Sequence, residues 1–315
     1  MKNVYCIGEM LIDFVAEKQG SDLTKAINFT KKAGGAPANV AAAIAKLSGN
    51  SYFVGCVGKD PFGQFLENTM AGLGVKLNFT QRSSTFTTLA FVSIAEDGER
   101  DFVFSRGADK ELEYDTKLSS LFNDGILHFG AATALLGGSL EDSYNRYLQD
   151  AKKLNAFISF DPNFRGDLWK GTEKEFVQKC FPFVAACDFA KFSLEEALLI
   201  SGEKTMDDAC RKLHALGVGI IAITLGKDGT FLSTATHQEI IGSIAVKPID
   251  TTGAGDAFVG CLLYQISKLE NPKKDVTNFE LLKQLITTAN KAGAITTTQY
   301  GAIAALPTMH QLNAF

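Results

Sequence analysis

Short apolar runs recur along the chain at residues 4–8, 52–58, 126–130, 156–161, 188–192 and 219–226, each closed by glycine or a polar residue. Runs of that length, rich in Val, Ile and Phe, predict buried strands. Between them lie segments whose apolar residues return every three to four positions, at 37–47, 61–72, 139–154, 194–201 and 205–216, with two longer ones at 255–269 and 279–298. These predict helices. Strands alternating with helices predict an α/β fold with a parallel sheet covered on both faces, because each crossover lays its helix on the sheet. No linker, low-complexity stretch or internal repeat interrupts the pattern, so a single domain over 1–315 is expected.

The period changes once. Residues 86–95 and 100–106 are rich in Phe, Val and Thr and flank Glu96-Asp97-Gly98-Glu99, whose Asp-Gly pair suits a tight hairpin turn. Side chains alternate across a strand, so Arg100, Phe102, Phe104 and Arg106 share one face of the second strand. Two readings fit that face. It is a lid over a polar ligand, or an edge hairpin whose phenylalanines pack on the core while its arginines are solvated.

Composition narrows the classes of partner. With 31 basic and 35 acidic residues the formal charge is -4, and no basic stripe is present, which argues against nucleic acid. Six cysteines (Cys6, Cys56, Cys180, Cys187, Cys210, Cys261) lie in apolar runs without a C-x-x-C pair, and read as small buried hydrophobes in a reducing cytoplasm. The chain runs from Met1-Lys2-Asn3 straight into its first strand, and no apolar run approaches the length of a membrane span, so a soluble protein without a membrane partner is expected.

The candidate chemistry begins at Ile249-Asp250-Thr251-Thr252-Gly253-Ala254-Gly255-Asp256-Ala257-Phe258, a small-residue turn directly before an apolar helix. Such a turn aims several backbone N–H groups outward at a helix N-terminus, where the dipole favours an anion. Asp256, in the first helical turn, would stand beside a bound phosphate and take the proton of an attacking hydroxyl. A helix-terminal charge without chemistry fits the same residue. Neither the P-loop pattern nor the dinucleotide glycine fingerprint occurs, so any phosphate site has a different architecture, and a nicotinamide dehydrogenase lacks its signature.

A second glycine turn, Ala33-Gly34-Gly35-Ala36-Pro37-Ala38-Asn39, opens an alanine-rich helix, allows close approach of the backbone to a ligand and presents the Asn39 amide. Asp13 stands just past the first strand, near the carboxyl edge where open α/β sheets bind ligands, and Asp161-Pro162-Asn163-Phe164-Arg165 follows another strand onto the same edge. Each motif alone reads as a plain turn. Together, two helix entrances, an aspartate at each pole and arginines between them are the parts that phosphoryl transfer to a polyol requires.

These residues resemble the PfkB/ribokinase family of carbohydrate kinases. One family motif runs from Gly34-Gly35-Ala36-Pro37-Ala38-Asn39 on to Ser48 and Gly58, and the other is Asp250-Thr251-Thr252-Gly253-Ala254-Gly255-Asp256. Within the family, Gly-Gly-Ala-Pro-Ala-Asn, Asp-Pro-Asn-x-Arg followed by Leu168-Trp169, and Arg-x-Phe-x-Phe-x-Arg look most like fructokinases. The resemblance implies a ribokinase-like three-layer α/β/α sandwich with a mainly parallel sheet and a small β lid, built from about 14–33 and 86–106. It implies transfer of the γ-phosphoryl group of ATP, carried with Mg²⁺, to the 6-hydroxyl of fructose. Other acceptors (ribose, 2-keto-3-deoxygluconate, a nucleoside) and a catalytically silent sugar-binding regulator stay open beside it.

For the residues, the resemblance implies Asp256 as base and Gly253, Ala254 and Gly255 as the anion hole. Asp13, Gly34, Gly35, Asn39 and Arg165 would hold the sugar, with Phe102, Phe104 and Arg106 closing over it. Lys191, Thr224, Gly226 and Gly229 are expected at the nucleotide, together with Asn290, Gly293, Ala294 and Thr297, which share a helix face. Glu196 is expected in the Mg²⁺-phosphate network, where many relatives carry Asn at the position of Ser193. A monovalent cation such as K⁺ would lie on backbone carbonyls around Asp250, Thr252 and the Gln299-Tyr300-Gly301-Ala302 segment. A lid strand either pairs with a second subunit's lid in a homodimer or is solvated.

Overall fold

The structure, a computed structural model, describes residues 1–18, 20, 22–94 and 100–314. In chain order its strands are β1 (Val4–Ile7), β2 (Leu11–Ala16), β3 (Phe29–Gly34), β4 (Ser51–Gly58), β5 (Lys76–Ser83), β6 (Leu89–Ile94), β7 (Arg100–Ser105), β8 (Ile126–Gly130), β9 (Phe157–Asp161), β10 (Phe189–Ser193), β11 (Ile220–Thr224), β12 (Thr230–Ser233) and β13 (Gln238–Ile241). Nine of them form one sheet in the order β13-β12-β11-β10-β9-β8-β1-β4-β5. Every pairing from β5 across to β11 is parallel, and β12 and β13 close that edge antiparallel.

The central strands are buried along their whole length, as continuous apolar runs require when both faces are covered. Two apolar clusters cover them, one on each face of the sheet. One gathers the helices Ala36–Lys46, Ala254–Ile266 and Phe279–Thr296, and the other the helices Ser139–Lys153, Glu173–Val184 and Met206–Leu216. The result is a three-layer α/β/α sandwich. Its parallel strand order brings the loops after β1, β8, β9 and β11 to one edge, the carboxyl ends of the strands.

A second sheet, in the order β3-β2-β6-β7, stands beside that edge. Its two hairpin pairings are antiparallel, while β2 and β6 run parallel. Its first arm begins at Leu11, a few residues before the expected 14–33 segment, because β2 follows almost directly on β1. The Glu96-Asp97-Gly98-Glu99 turn lies outside the described residues. All six cysteines are buried, and burial pushes the thiols of Cys56 and Cys261 up to about 12, which leaves them inert at neutral pH. Among the described residues no helix is long and apolar enough to cross a membrane.

Candidate active site

Two cavities open at the carboxyl edge of the large sheet, and the small-residue turn before the helix Ala254–Ile266 forms the wall between them. The smaller, about 340 Å³, is lined by residues from the first glycine turn, the small sheet, the loop after β9 and the anion turn. The larger, about 670 Å³, lies over β11, β12 and the helix Phe279–Thr296. Thr251 and Gly255 line both.

The turn has a local cause. Gly253 is the N-cap of its helix at φ 77, a left-handed conformation, and a Cβ there would stand 2.6 Å from Cβ of Ala302. Glycine satisfies both constraints at once. Asp250 braces the entrance, its carboxylate accepting from N and Oγ1 of Thr252 at 2.9 and 2.6 Å and from N of Gly301 at 2.8 Å. Backbone from 250–252 and from 300–302 therefore runs side by side at the turn.

Asp256, three residues past that cap, lines the smaller cavity and accepts a 2.8 Å hydrogen bond from Nδ2 of Asn39. Desolvation raises its pKa first, and Asp161 adds to this. The Asn39 bond and the charges of Lys191 and Arg165 oppose both, leaving the value at about 6. A carboxylate at that value is ionised at neutral pH yet far more basic than an exposed aspartate, as a general base must be. We expect kcat/KM to fall about tenfold per pH unit below pH 6, since protonation removes the acceptor, and to level off as neutral pH is approached. An acid limb centred near 4 in a pH–rate profile would rule this group out as the titrating base.

The first glycine turn is shaped by the residues it faces. Gly35, at φ 104, caps the helix Ala36–Lys46, and a Cβ on it would lie 2.5 Å from the backbone oxygen of Glu9. A Cβ on Gly34 would collide with the Asp13 carboxylate. Asp13, Gly35, Asn39 and Arg165 all line the smaller cavity, with Phe102 and Phe104, whose stacked rings lie 6.1 Å apart, on its outer side. Gly34 stands behind Asp13 and does not line the cavity. Arg106 is likewise held back from it, its Nε bonded to Asp109 at 3.1 Å and its Nη1 to the backbone oxygen of Leu136 at 3.0 Å.

Of the residues expected at a nucleotide, Thr224, Gly226, Gly229, Asn290, Gly293, Ala294 and Thr297 line the larger cavity together. Asn290 spends its amide on structure, accepting from Thr230 Oγ1 at 2.6 Å and donating to the backbone oxygen of Ile241 at 2.8 Å, so it fixes the cavity floor. Gly293 allows the last long helix to pack close, since a Cβ would meet the Ala254 oxygen at 3.1 Å. Ile244 and Val246, in the loop after β13, add apolar wall to which no sequence pattern pointed. Scattered apolar residues in a loop carry no periodic signal.

Lys191 departs from its expected group. It lines the smaller cavity, with Nζ 3.2 Å from Asp161 Oδ2 and 3.9 Å from Glu196 Oε2. Burial disfavours its charge, but Asp161, Glu196 and Asp256 outweigh that and hold its pKa above the ordinary lysine value. It is therefore a fixed cation beneath the anion turn.

Glu196 is one step further back. Its carboxylate accepts from N of Ser193 at 2.7 Å and N of Phe164 at 2.8 Å, while Ser193 accepts from N of Glu196, a reciprocal capping box. Ser193 thus serves as N-cap of the helix Leu194–Ser201.

Among the described residues no three His, Cys, Asp or Glu side chains cluster to hold a metal.

An apolar-walled cavity and a polar one, separated by an anion turn with a basic carboxylate on the polar side, define a phosphotransferase with an alcohol group as acceptor. A family model described as pfkB family carbohydrate kinase matches residues 1–309. The fructokinase of Vibrio alginolyticus is 35% identical over 320 residues, spanning 100% of this chain and 99% of that protein. Among solved structures, a fructokinase double mutant from Vibrio cholerae O395, bound to fructose, ADP and potassium ion, superposes with a TM-score of 0.86 at 31% identity, covering 100% of this chain and 98% of that one. The fructokinase of Xylella fastidiosa with bound ATP gives 0.88 at 29% identity, over 99% and 97%. The chain belongs to the pfkB family of carbohydrate kinases.

Proposed function

We propose that the chain transfers the γ-phosphoryl group of ATP to the 6-hydroxyl of fructose. The observation that carries this reading is the meeting of the two cavities at Thr251 and Gly255, with Asp256 on the acceptor side. The relatives named above favour fructose as acceptor, and the fructose, ADP and ATP bound in the solved structures favour this pair of ligands.

In this reading the acceptor cavity takes the sugar, with Asp13, Asn39 and Arg165 facing its hydroxyls and Phe102 and Phe104 excluding water. Asp256 removes the proton of the attacking hydroxyl, held in position by Asn39. The N–H groups of Gly253 to Asp256 and the ammonium of Lys191 stabilise charge on the group in transfer. Magnesium, when bound with the nucleotide, neutralises phosphate charge. The adjacent backbones of 250–252 and 300–302 supply carbonyl groups suited to a monovalent cation, and potassium in the Vibrio cholerae structure favours K⁺.

Assaying ADP release over a panel of fructose, ribose, 2-keto-3-deoxygluconate and a nucleoside tests the reading, with fructose expected to give the highest kcat/KM. A higher value for another acceptor would move the substrate and keep the kinase. Binding without turnover on any acceptor would leave a silent sugar-binding protein.

We also propose that the small sheet mediates a homodimer. β3 and β7 are the outer strands of that sheet among the described residues, and Val103 is 53% exposed on the face away from the cavity. A monomer mass in light scattering at micromolar concentration would remove that proposal. Buried free thiols suit a reducing, cytoplasmic setting.

A further inference from the structure

Glu9 is a carboxyl group that the chemistry above does not use. It follows β1 directly, is fully buried, and lines the floor of the acceptor cavity beneath Gly35. Its Oε1 accepts a 2.9 Å hydrogen bond from N of Ala36, the first residue of the helix that carries Asn39. Its Oε2 lies 3.5 Å from Oγ1 of Thr133, and that same hydroxyl stands 2.8 Å from Oδ2 of Asp109.

Counting protons in this chain decides its state. Thr133 has one hydroxyl hydrogen and two carboxyl neighbours. Asp109 is the acceptor, since it also takes Nε–H of Arg106 at 3.1 Å and Oγ1–H of Thr88. Thr88 in turn accepts from N of Gly107 at 2.9 Å, so Asp109 fastens the base of the β6-β7 hairpin. The Thr133 hydrogen points to Asp109 over the shorter distance, and Glu9 can bond to Thr133 only by bringing a hydrogen of its own.

We propose that Glu9 is a proton-bearing positioning residue that ties the root of the β6-β7 hairpin to the helix entrance holding Asn39 and, through it, Asp256. The order is Glu9 to Thr133 to Asp109, with Arg106 on the far side, and Ala36 N–H on the other oxygen of Glu9. Ionisation of Glu9 sets two carboxylates around one hydroxyl, breaks the link and loosens both the hairpin root and the base. The inference rests on the kinase reading only for its activity readout.

The surroundings agree. Burial comes first in raising the Glu9 pKa to about 8. The Ala36 bond opposes it, Asp109 raises it further, and Arg165 across the cavity lowers it. The Tyr144 hydroxyl, bonded to the backbone oxygens of Ile7 and Gly130, also faces Glu9 and stays protonated, its own pKa raised first by burial and then by Glu9. Asp13, Lys191 and Asp256 face the same cavity from other elements.

The test compares Glu9→Gln and Glu9→Ala with the unaltered chain. Gln reproduces the neutral acid, with an oxygen for Ala36 and an N–H for Thr133, whereas Ala removes both. At pH 7, E9Q is expected to lose less than about tenfold in kcat/KM with the best acceptor and E9A more than about a hundredfold, in keeping with misplacement of a catalytic group. Above pH 8 the unaltered enzyme falls about tenfold per unit while E9Q stays level.

A second readout needs no turnover. A carboxyl whose folded pKa lies above its unfolded value contributes stability below the unfolded value, and this is lost as pH rises through the folded one. The melting temperature of E9Q relative to the unaltered chain therefore climbs between about pH 4.5 and pH 8, the ordinary and the raised value, and is flat beyond. Parallel alkaline limbs in the two proteins, or a melting difference independent of pH, would overturn the proposal. Inactivity of the unaltered chain on every acceptor would instead strike the kinase reading, leaving the melting comparison to decide the proton.

Discussion

Replacing Asp256 by Asn lowers kcat by a factor of about a hundred to ten thousand, the range typical of a lost general base, without unfolding the protein. Asn keeps an oxygen for the 2.8 Å bond from Asn39, so the geometry of the pocket survives. Stability separates this role from a merely structural one. The pKa of Asp256, raised first by burial to about 6 from an ordinary 3.8, means that its charged form is less favourable in the fold than in the unfolded chain. Stability is therefore full below pH 3.8 and declines as pH rises to 6. The neutral Asn variant should melt at or above the temperature of the unaltered chain at pH 7, and no higher at pH 3.5. Turnover above a tenth of normal, measured by ADP release with saturating ATP, would sink the assignment.

The second large effect is expected from Gly253→Ala. At φ 77 a side chain costs about 1–2 kcal/mol by itself, and the new methyl would also meet Cβ and Cα of Ala302 at 2.6 and 2.8 Å. The turn must move, and its N–H groups lose their common aim, for which a loss on the order of a hundredfold in kcat is reasonable. Gly255→Ala is the informative control. There the nearest atoms to an added Cβ are Nζ and Cε of Lys191, at 3.4 and 3.5 Å, ordinary van der Waals contact, and no left-handed backbone angle is required. The Gly255 variant should fall by far less, and equal losses in the two would show that smallness, rather than the left-handed turn at 253, is what the site needs.

Much of this was legible from local pattern. The six apolar runs became six central strands to within two residues at either end, and the helix expected at 61–72 is observed as Pro61–Gly72. Strand β5 escaped because its side chains alternate exposed and half-buried at the sheet edge, and Lys76-Leu77-Asn78-Phe79 looks like a loop. The helix Glu173–Val184 escaped because Pro182 interrupts its last turn.

The sequence by itself determined the turns. Glycine at 35 and 253 is demanded by backbone angles set within a few residues, and such constraints are visible wherever a glycine precedes an apolar helix. What only the tertiary structure decided is which distant groups meet. Asn39 lies 217 positions from Asp256, and Glu9 lies 124 from Thr133. No spacing rule joins residues brought to one edge by the order of parallel strands. Lys191 and Arg106 show the consequence. The family resemblance placed them at the nucleotide and over the sugar, but burial beside Asp161 and Asp109 chose their partners and fixed their positions. Charge follows from composition, whereas the direction in which a buried charge is held follows from the carboxylates packed around it.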